Sequence, residues 1–249
     1  MNHVLQSIVE NGTIKLPSGE EVNIHSHVGA GSGRVISRAV EVAKPLVACE
    51  VGLAFGVSSL YILEAMQKNG FGHLIGMDPA QYDKKWRGGG LHNIDKAGFS
   101  NSYEFHEETS QRVLPRLEKA GTRIQFAFID GWHTFDHTLI DFFYIDQMLD
   151  IGGVVVLDDV GYPGLCRLAH FILTNRSYEI LDFDPIPQKL SLRSKLKGIA
   201  QQILHPLVKD NFSPNSDSRN VEHQVNKAQL IALIKRDYDQ RSFDHFVPF

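Results

Sequence analysis

The sequence predicts an α/β fold built on a mostly parallel sheet with helices on both sides. Three observations predict it. The stretch Leu46-Val-Ala-Cys-Glu-Val-Gly-Leu-Ala-Phe-Gly-Val-Ser-Ser-Leu60 reads as a buried strand, a glycine turn and a helix. Short apolar runs then alternate with helical patterns as far as Asp159. The apolar runs end on acids, at Asp78, Asp130, Asp158 and Asp159, and Glu50 closes the first. Right-handed crossovers put every such end on one edge of the sheet, where open α/β sheets bind ligands.

The chain of 249 residues is long enough to bury a sizeable core in one domain. A net charge of −4 gives no electrostatic case for nucleic acid. No apolar run reaches the ~18 residues that span a bilayer, and no signal-peptide pattern opens the chain, so a cytoplasmic protein is expected. Cys49 and Cys166 sit in apolar surroundings and read as reduced core cysteines.

Taken in order, Met1–Glu10 is weakly amphipathic, and Gly12–Glu21 reads as a small β-turn element. His25–Gly33 is rich in glycine, but no strand precedes it, so it reads as a plain loop. Arg34–Lys44 has Val35, Ile36, Ala39, Val40 and Ala43 on one side and reads as a helix, which Pro45 stops. In the opening unit, Gly52 and Gly56 let backbone pass close to a ligand, and the helix beginning at Val57 offers unpaired N–H groups.

His73–Asp78 is the second strand. Asp78 lies about twenty residues past the glycine turn, where such folds place a carboxylate on a ribose diol. Residues 80–100 read as an irregular loop, either a mobile flap with Trp86 at its tip or a disordered insertion. Ser102–His106 is a third strand, and Thr109 or Ser110 caps the helix that follows. Arg123–Asp130 is a fourth strand and Thr134–Leu149 a helix. Gly152-Gly153 turns the chain into a fifth strand, Val154–Asp159.

Beyond it, Leu165–Thr174 reads as a helix and Tyr178–Phe183 as a strand. Leu190–Val208 is basic and amphipathic, a pattern that packs on its own domain or lies on a membrane or partner. Lys209–Asn226 reads as a loop or disordered stretch, and Gln229–Lys235 as a last strand. The aromatic end, Phe243–Phe249, docks on the body or on a second subunit, which leaves a homo-oligomer open.

Chemistry concentrates where topology brings acids together. Asp130, Asp158 and Asp159 would repel one another at one point, so a hard cation such as Mg²⁺ is expected between them. His133 lies at the mouth of the same crevice, and an imidazole suits a general base. His133 and His137 stand one helical turn apart, as in zinc sites, but the hard carboxylates favour Mg²⁺. Gly52-x-x-x-Gly56 departs from the G-x-G-x-x-G spacing of nicotinamide enzymes, which disfavours that class.

Glu50-Val-Gly52-x-x-x-Gly56-x-Ser58, Gly76-Met-Asp78-Pro79, Ile129-Asp-Gly-Trp-His133 and Gly152-Gly153-x-x-x-x-Asp158-Asp159 occur in that order. The set is similar to class I S-adenosylmethionine-dependent methyltransferases. Within them it resembles small-molecule O-methyltransferases, including the macrocin group acting on sugars and, more distantly, the catechol type. The match covers roughly residues 35–183 and leaves 184–249 as a C-terminal extension of a single domain, 1–249.

The resemblance implies a three-layer, Rossmann-like, seven-stranded sheet with its final strand antiparallel between its neighbours. It implies that Glu50, Gly52, Gly56 and Ser58 cradle the methionine end of S-adenosylmethionine, with Asp78 on the ribose, Thr109 and Ser110 beside the adenine, and Asp130 nearby. Asp130, Asp158 and Asp159 match metal ligands, and His133 matches the base of the sugar-modifying members, with Asp130 beside it in the catalytic pair. The expected reaction is methyl transfer to a hydroxylated small molecule, Mg-assisted. A metal-independent methyltransferase and a non-catalytic cofactor-binding domain are the alternatives.

Overall fold

A computed structural model describes residues 1–186 and 216–249. Its strands are β1 (Thr13–Lys15), β2 (Glu21–Asn23), β3 (Val47–Val51), β4 (His73–Met77), β5 (Tyr103–His106), β6 (Ile124–Ile129), β7 (Leu149–Leu157), β8 (Tyr178–Pro185) and β9 (Ala228–Lys235). Its helices are α1 (His3–Asn11), α2 (Ala30–Ala43), α3 (Val57–Asn69), α4 (Gly89–Lys96), α5 (Ser110–Lys119), α6 (Phe135–Met148), α7 (Pro163–Asn175) and α8 (Ser216–Val225).

Seven strands form one sheet in the order β5-β4-β3-β6-β7-β9-β8. The first five pair in parallel, and β9 lies antiparallel between β7 and β8. The seven-stranded sheet that the resemblance implied is therefore present. The order reverses between β3 and β6, so a crevice opens there at their carboxyl ends. A separate hairpin pairs β1 with β2 antiparallel.

Side-chain alternation assembles the core. Phe126 and Phe128 of β6 and Val154 and Val156 of β7 face a cluster with Val35 and Ile36 of α2 and Leu60 and Leu63 of α3. Ala127, Ile129, Val155 and Leu157 face the other side, against Val113 of α5, Phe142 and Ile145 of α6, and Leu168 of α7. Such strands, buried on both faces, read as near-continuous apolar runs.

Several expectations are corrected by packing. The glycine-rich stretch His25–Gly33 is not all loop, because α2 starts at Ala30. A side chain at Gly33 would overlap the ring of Tyr61, so the glycine permits α2 and α3 to approach closely. Trp86 is not an exposed tip. It is buried against Phe55 and His25, with ring centroids 5.0 and 5.4 Å away. Residues 89–96 form α4 rather than a flap, since Gln81 and Asn93 tie that segment to the glycine turn: Gln81 Nε2 donates to the Ala54 carbonyl at 2.9 Å, and Asn93 Nδ2 to that of Phe55 at 3.0 Å.

Gly152-Gly153 does not precede β7 but lies within it, where the register to β6 shifts between Ile124 and Phe126. Part of the Lys209–Asn226 stretch is helical, as α8. The Leu190–Val208 reading lies outside the described residues. At the C-terminus Phe249 packs on Phe135 and Phe171, at 6.3 and 5.1 Å between centroids, and Asn175 bonds the Val247 backbone, so the tail docks on the body. Cys49 and Cys166 are both free thiols.

Candidate functional site

The glycine turn after β3 is the floor of the crevice. Gly52 takes φ +90, and its N–H donates to the Met77 carbonyl at 2.9 Å. Gly56 takes φ +75, within 3.0 Å of the Gly90 carbonyl at its Cβ position, and opens α3. Asp78 holds this turn from beneath. Its Oδ2 accepts from the N–H groups of Leu53 at 3.0 Å and Ala54 at 3.1 Å, and its Oδ1 from that of Ala80 at 2.8 Å. Asp78 thus shapes the turn by its own hydrogen bonds.

Glu50 is fully buried in the middle layer. Ser58 Oγ donates to its Oε1 at 2.6 Å, and Ser59 Oγ donates to its Oε2. Burial pushes the Glu50 carboxyl up to about 7, against the pull of the two hydroxyls. An unfolded Glu titrates near 4.5, so the folded chain holds an extra proton between those values. Stability from this group is complete below the unfolded value and is lost as pH rises through the folded one. Glu50→Gln keeps partners for both hydroxyls and removes the titration. Relative to wild type, it is expected to gain on the order of 2 kcal/mol between pH 5 and pH 8. Urea unfolding at both pH values measures it, and an unchanged difference would remove Glu50 as the cause.

Thr109 is the N-cap of α5 by backbone geometry, without a side-chain cap bond, and is exposed, whereas Ser110 is buried. Asp141 of α6 is 1% exposed, and its Oδ1 has no partner. Burial raises its carboxyl to about 6, and a hydrogen bond from Ser110 opposes the shift.

The acidic end of the crevice lies just past β6 and β7. The ligand atoms of Asp130, His133 and Asp159 all fall within 4.8 Å of one another. His133 Nε2 stands 3.9 Å from Asp130 Oδ1 and 3.6 Å from Asp159 Oδ2. Asp158 follows β7 directly but does not join this group. Its Oδ1 accepts the Asp159 N–H at 2.9 Å instead. Burial and the neighbouring Asp158 and Asp159 charges raise the Asp130 carboxyl well above its ordinary value. Burial and the charges of Asp159 and Asp184 also raise Asp158. Among the described residues, His133 is the ion-pair partner of both Asp130 and Asp159, and no Lys or Arg pairs with them. Crowded carboxylates without a fixed cationic side chain suit a hard divalent cation. His137 is turned elsewhere, with Nδ1 2.9 Å from Thr134 Oγ1, so the His133–His137 zinc pattern does not form a group here.

Three features of the site escaped sequence reading. Ser26, His27 and Val28 line the crevice with Leu53–Phe55, Val57, Ser58 and Asp130, so the glycine-rich N-terminal segment folds over the glycine turn. Tyr162 stacks on His133 with ring centroids 5.7 Å apart. Gln229 of β9 reaches Asp159. The first had a weak signal in its glycines. Gln229 had one as a polar residue opening an otherwise apolar strand.

Residues 49–160 match the family model described as a methyltransferase domain. The chain is 24% identical over 161 residues to a catechol O-methyltransferase of Bos taurus, which covers 63% of this chain and 57% of that protein's length. Among solved structures, it resembles the S-adenosylhomocysteine-bound methyltransferase PaMTH1 of Podospora anserina, at TM-score 0.56 and 15% identity over 95% of this chain and 89% of that one. It also resembles an O-methyltransferase of Bacillus cereus in complex with SAH, at TM-score 0.54 and 13% identity over 94% and 92%. A third is TomG of Streptomyces achromogenes, an O-methyltransferase involved in tomaymycin synthesis, at TM-score 0.51 and 15% identity over 85% and 82%. The chain thus shares the fold of these methyltransferases, and its residues 49–160 are similar to a methyltransferase domain.

Proposed function

We propose that this chain transfers the methyl group of S-adenosylmethionine to a hydroxyl of a small molecule, with a divalent cation held by Asp130 and Asp159 and with His133 as the base. The observation that carries the reading is the convergence of Asp130, His133 and Asp159 at the strand ends beside the Gly52–Gly56 turn. The resemblance to catechol O-methyltransferase supports the same class. A bound cation would lower the pKa of an acceptor hydroxyl and neutralise the carboxylates around it.

The chain's own residues do the rest. The Gly52–Gly56 turn, braced by Asp78, presents the cofactor's methionine end to the crevice, and the family resemblance puts Thr109 and Ser110 beside the adenine. Asp130 and Asp159 orient the acceptor oxygen towards the methyl group, which demands an in-line approach. His133 Nε2, facing both carboxylates, takes the hydroxyl proton, a contribution of order 10²–10⁴-fold. Asp158 braces the Asp159 backbone from the strand end.

The test is methyl transfer from radiolabelled S-adenosylmethionine to catechol, phenol and sugar-hydroxyl acceptors, with EDTA and then with added Mg²⁺. Loss with EDTA and recovery with Mg²⁺ is the expected result. Full activity in EDTA would establish the metal-independent alternative. Tight cofactor binding without transfer to any acceptor would establish a non-catalytic binding domain. No helix among the described residues is long and apolar enough to cross a membrane.

A further inference from the structure

Resting on that reading, we propose that Gln229 is a positioning residue that fixes the Asp159 carboxylate for the cation.

Asp159 is the one group of the centre whose backbone takes a conformation that L residues rarely adopt. Its φ is +53. A non-glycine residue there costs of order 1–3 kcal/mol and persists only where its surroundings hold it. Gln229 supplies two of the holds. Its Nε2 donates to Asp159 Oδ1 at 2.6 Å, and its backbone carbonyl accepts from the Val160 N–H at 2.9 Å. A third comes from Asp158, whose Oδ1 accepts the Asp159 N–H. A carboxylate only accepts, so the amide nitrogen of Gln229 must face it, and a short bond to an ionised acceptor is among the stronger kinds.

The geometry divides the work between the two Asp159 oxygens. Oδ1 is taken by Gln229, while Oδ2 is the oxygen that faces His133 at 3.6 Å. With Oδ1 tied, rotation about the carboxylate cannot carry Oδ2 out of the site. This support is non-local. β7 and β9 pair antiparallel with Leu157 opposite Ile231, and extending that register by two residues sets Asp159 opposite Gln229. A register slip of one residue would turn Gln229 to the other face and leave the carboxylate unsupported. The inserted strand thereby contributes to a centre otherwise assembled from parallel strands.

The experiment measures Mn²⁺ binding by electron paramagnetic resonance in the full chain. The variants are wild type, Gln229→Leu, Asp159→Ala and the double variant. S-adenosylhomocysteine affinity, expected to stay within about twofold, shows that each variant keeps the folded cradle. Gln229→Leu is expected to weaken Mn²⁺ binding by about 10–100-fold, the usual loss when the group orienting a ligand is removed. Because Gln229 acts through Asp159, its removal should add nothing in the Asp159→Ala background, whereas a merely structural role would add there as well. Equal Mn²⁺ affinity of wild type and Gln229→Leu would overturn the role of Gln229 and leave the metal reading standing. Absence of Mn²⁺ binding in wild type would overturn both. Gln229→Ala is measured in parallel, so that misfolding of one variant does not decide the matter.

Discussion

Replacing His133 with alanine is expected to lower methyl transfer by about 10²–10⁴-fold while S-adenosylmethionine binding stays close to wild type. The separation follows from position. His133 stands 40% exposed at the mouth of the crevice, beyond the strand ends, and is not among the residues proposed to hold the cofactor. Its Nε2 faces Asp130 and Asp159, and its ring stacks on Tyr162, so one imidazole nitrogen is held towards the carboxylates proposed to orient the acceptor. The measurement is kcat against pH for wild type and His133→Ala, with cofactor affinity by calorimetry. The variant should stay slow across the whole pH range measured. If His133→Ala kept wild-type turnover, the base would lie elsewhere. Mn²⁺ affinity distinguishes a base from a ligand: a base leaves it within about threefold, whereas a lost ligand costs far more.

Gly52→Ala is expected to destabilise the fold by at least about 3 kcal/mol, the sum of an unfavourable backbone and an overpacked contact. At φ +90 an L side chain is strained whatever the space around it. Here there is no space either, because the new Cβ would overlap the backbone carbonyl oxygen of Asp130. That oxygen belongs to backbone and cannot swing aside. The Asp130 N–H donates to the Val51 carbonyl at 2.9 Å, so β3 and β6 would have to part at the switch point to make room. Any such movement displaces the Asp130 carboxylate, so Gly52→Ala should also lose Mn²⁺ binding. Urea denaturation gives the stability change. A loss under about 1 kcal/mol would mean that the turn yields without strain, against the cost expected of such a backbone.

Much of the architecture was legible because it is written in local periodicity. The alternation in β6 and β7, the glycine turn and the helical spacing from Val57 each depend on neighbours within a few residues. Hence the strand ends carrying Asp78, Asp130, Asp158 and Asp159 were placed correctly. The errors fall where contacts are remote. Trp86 looked like an exposed tip because its glycine neighbours suggest a loop, yet Phe55 and His25, far along the chain, bury it. Gly33 looked like part of a loop because its packing partner, Tyr61, lies on another helix. Gly152-Gly153 looked like a turn because a bulge and a turn use the same residues.

The sequence by itself determined that acids would gather at one sheet edge beside a cofactor-type glycine turn, since crossover handedness and strand period leave no other arrangement. Only the tertiary structure decided which of them meet. Asp130 and Asp159 come within reach of His133, while Asp158 turns to the Asp159 backbone. It also placed Gln229 on Asp159 by inserting β9 between β7 and β8. The physical reason is that strand order is settled by the burial of whole faces across the sheet, a sum over distant residues. A side chain at a strand end then takes whichever partner that order brings to it.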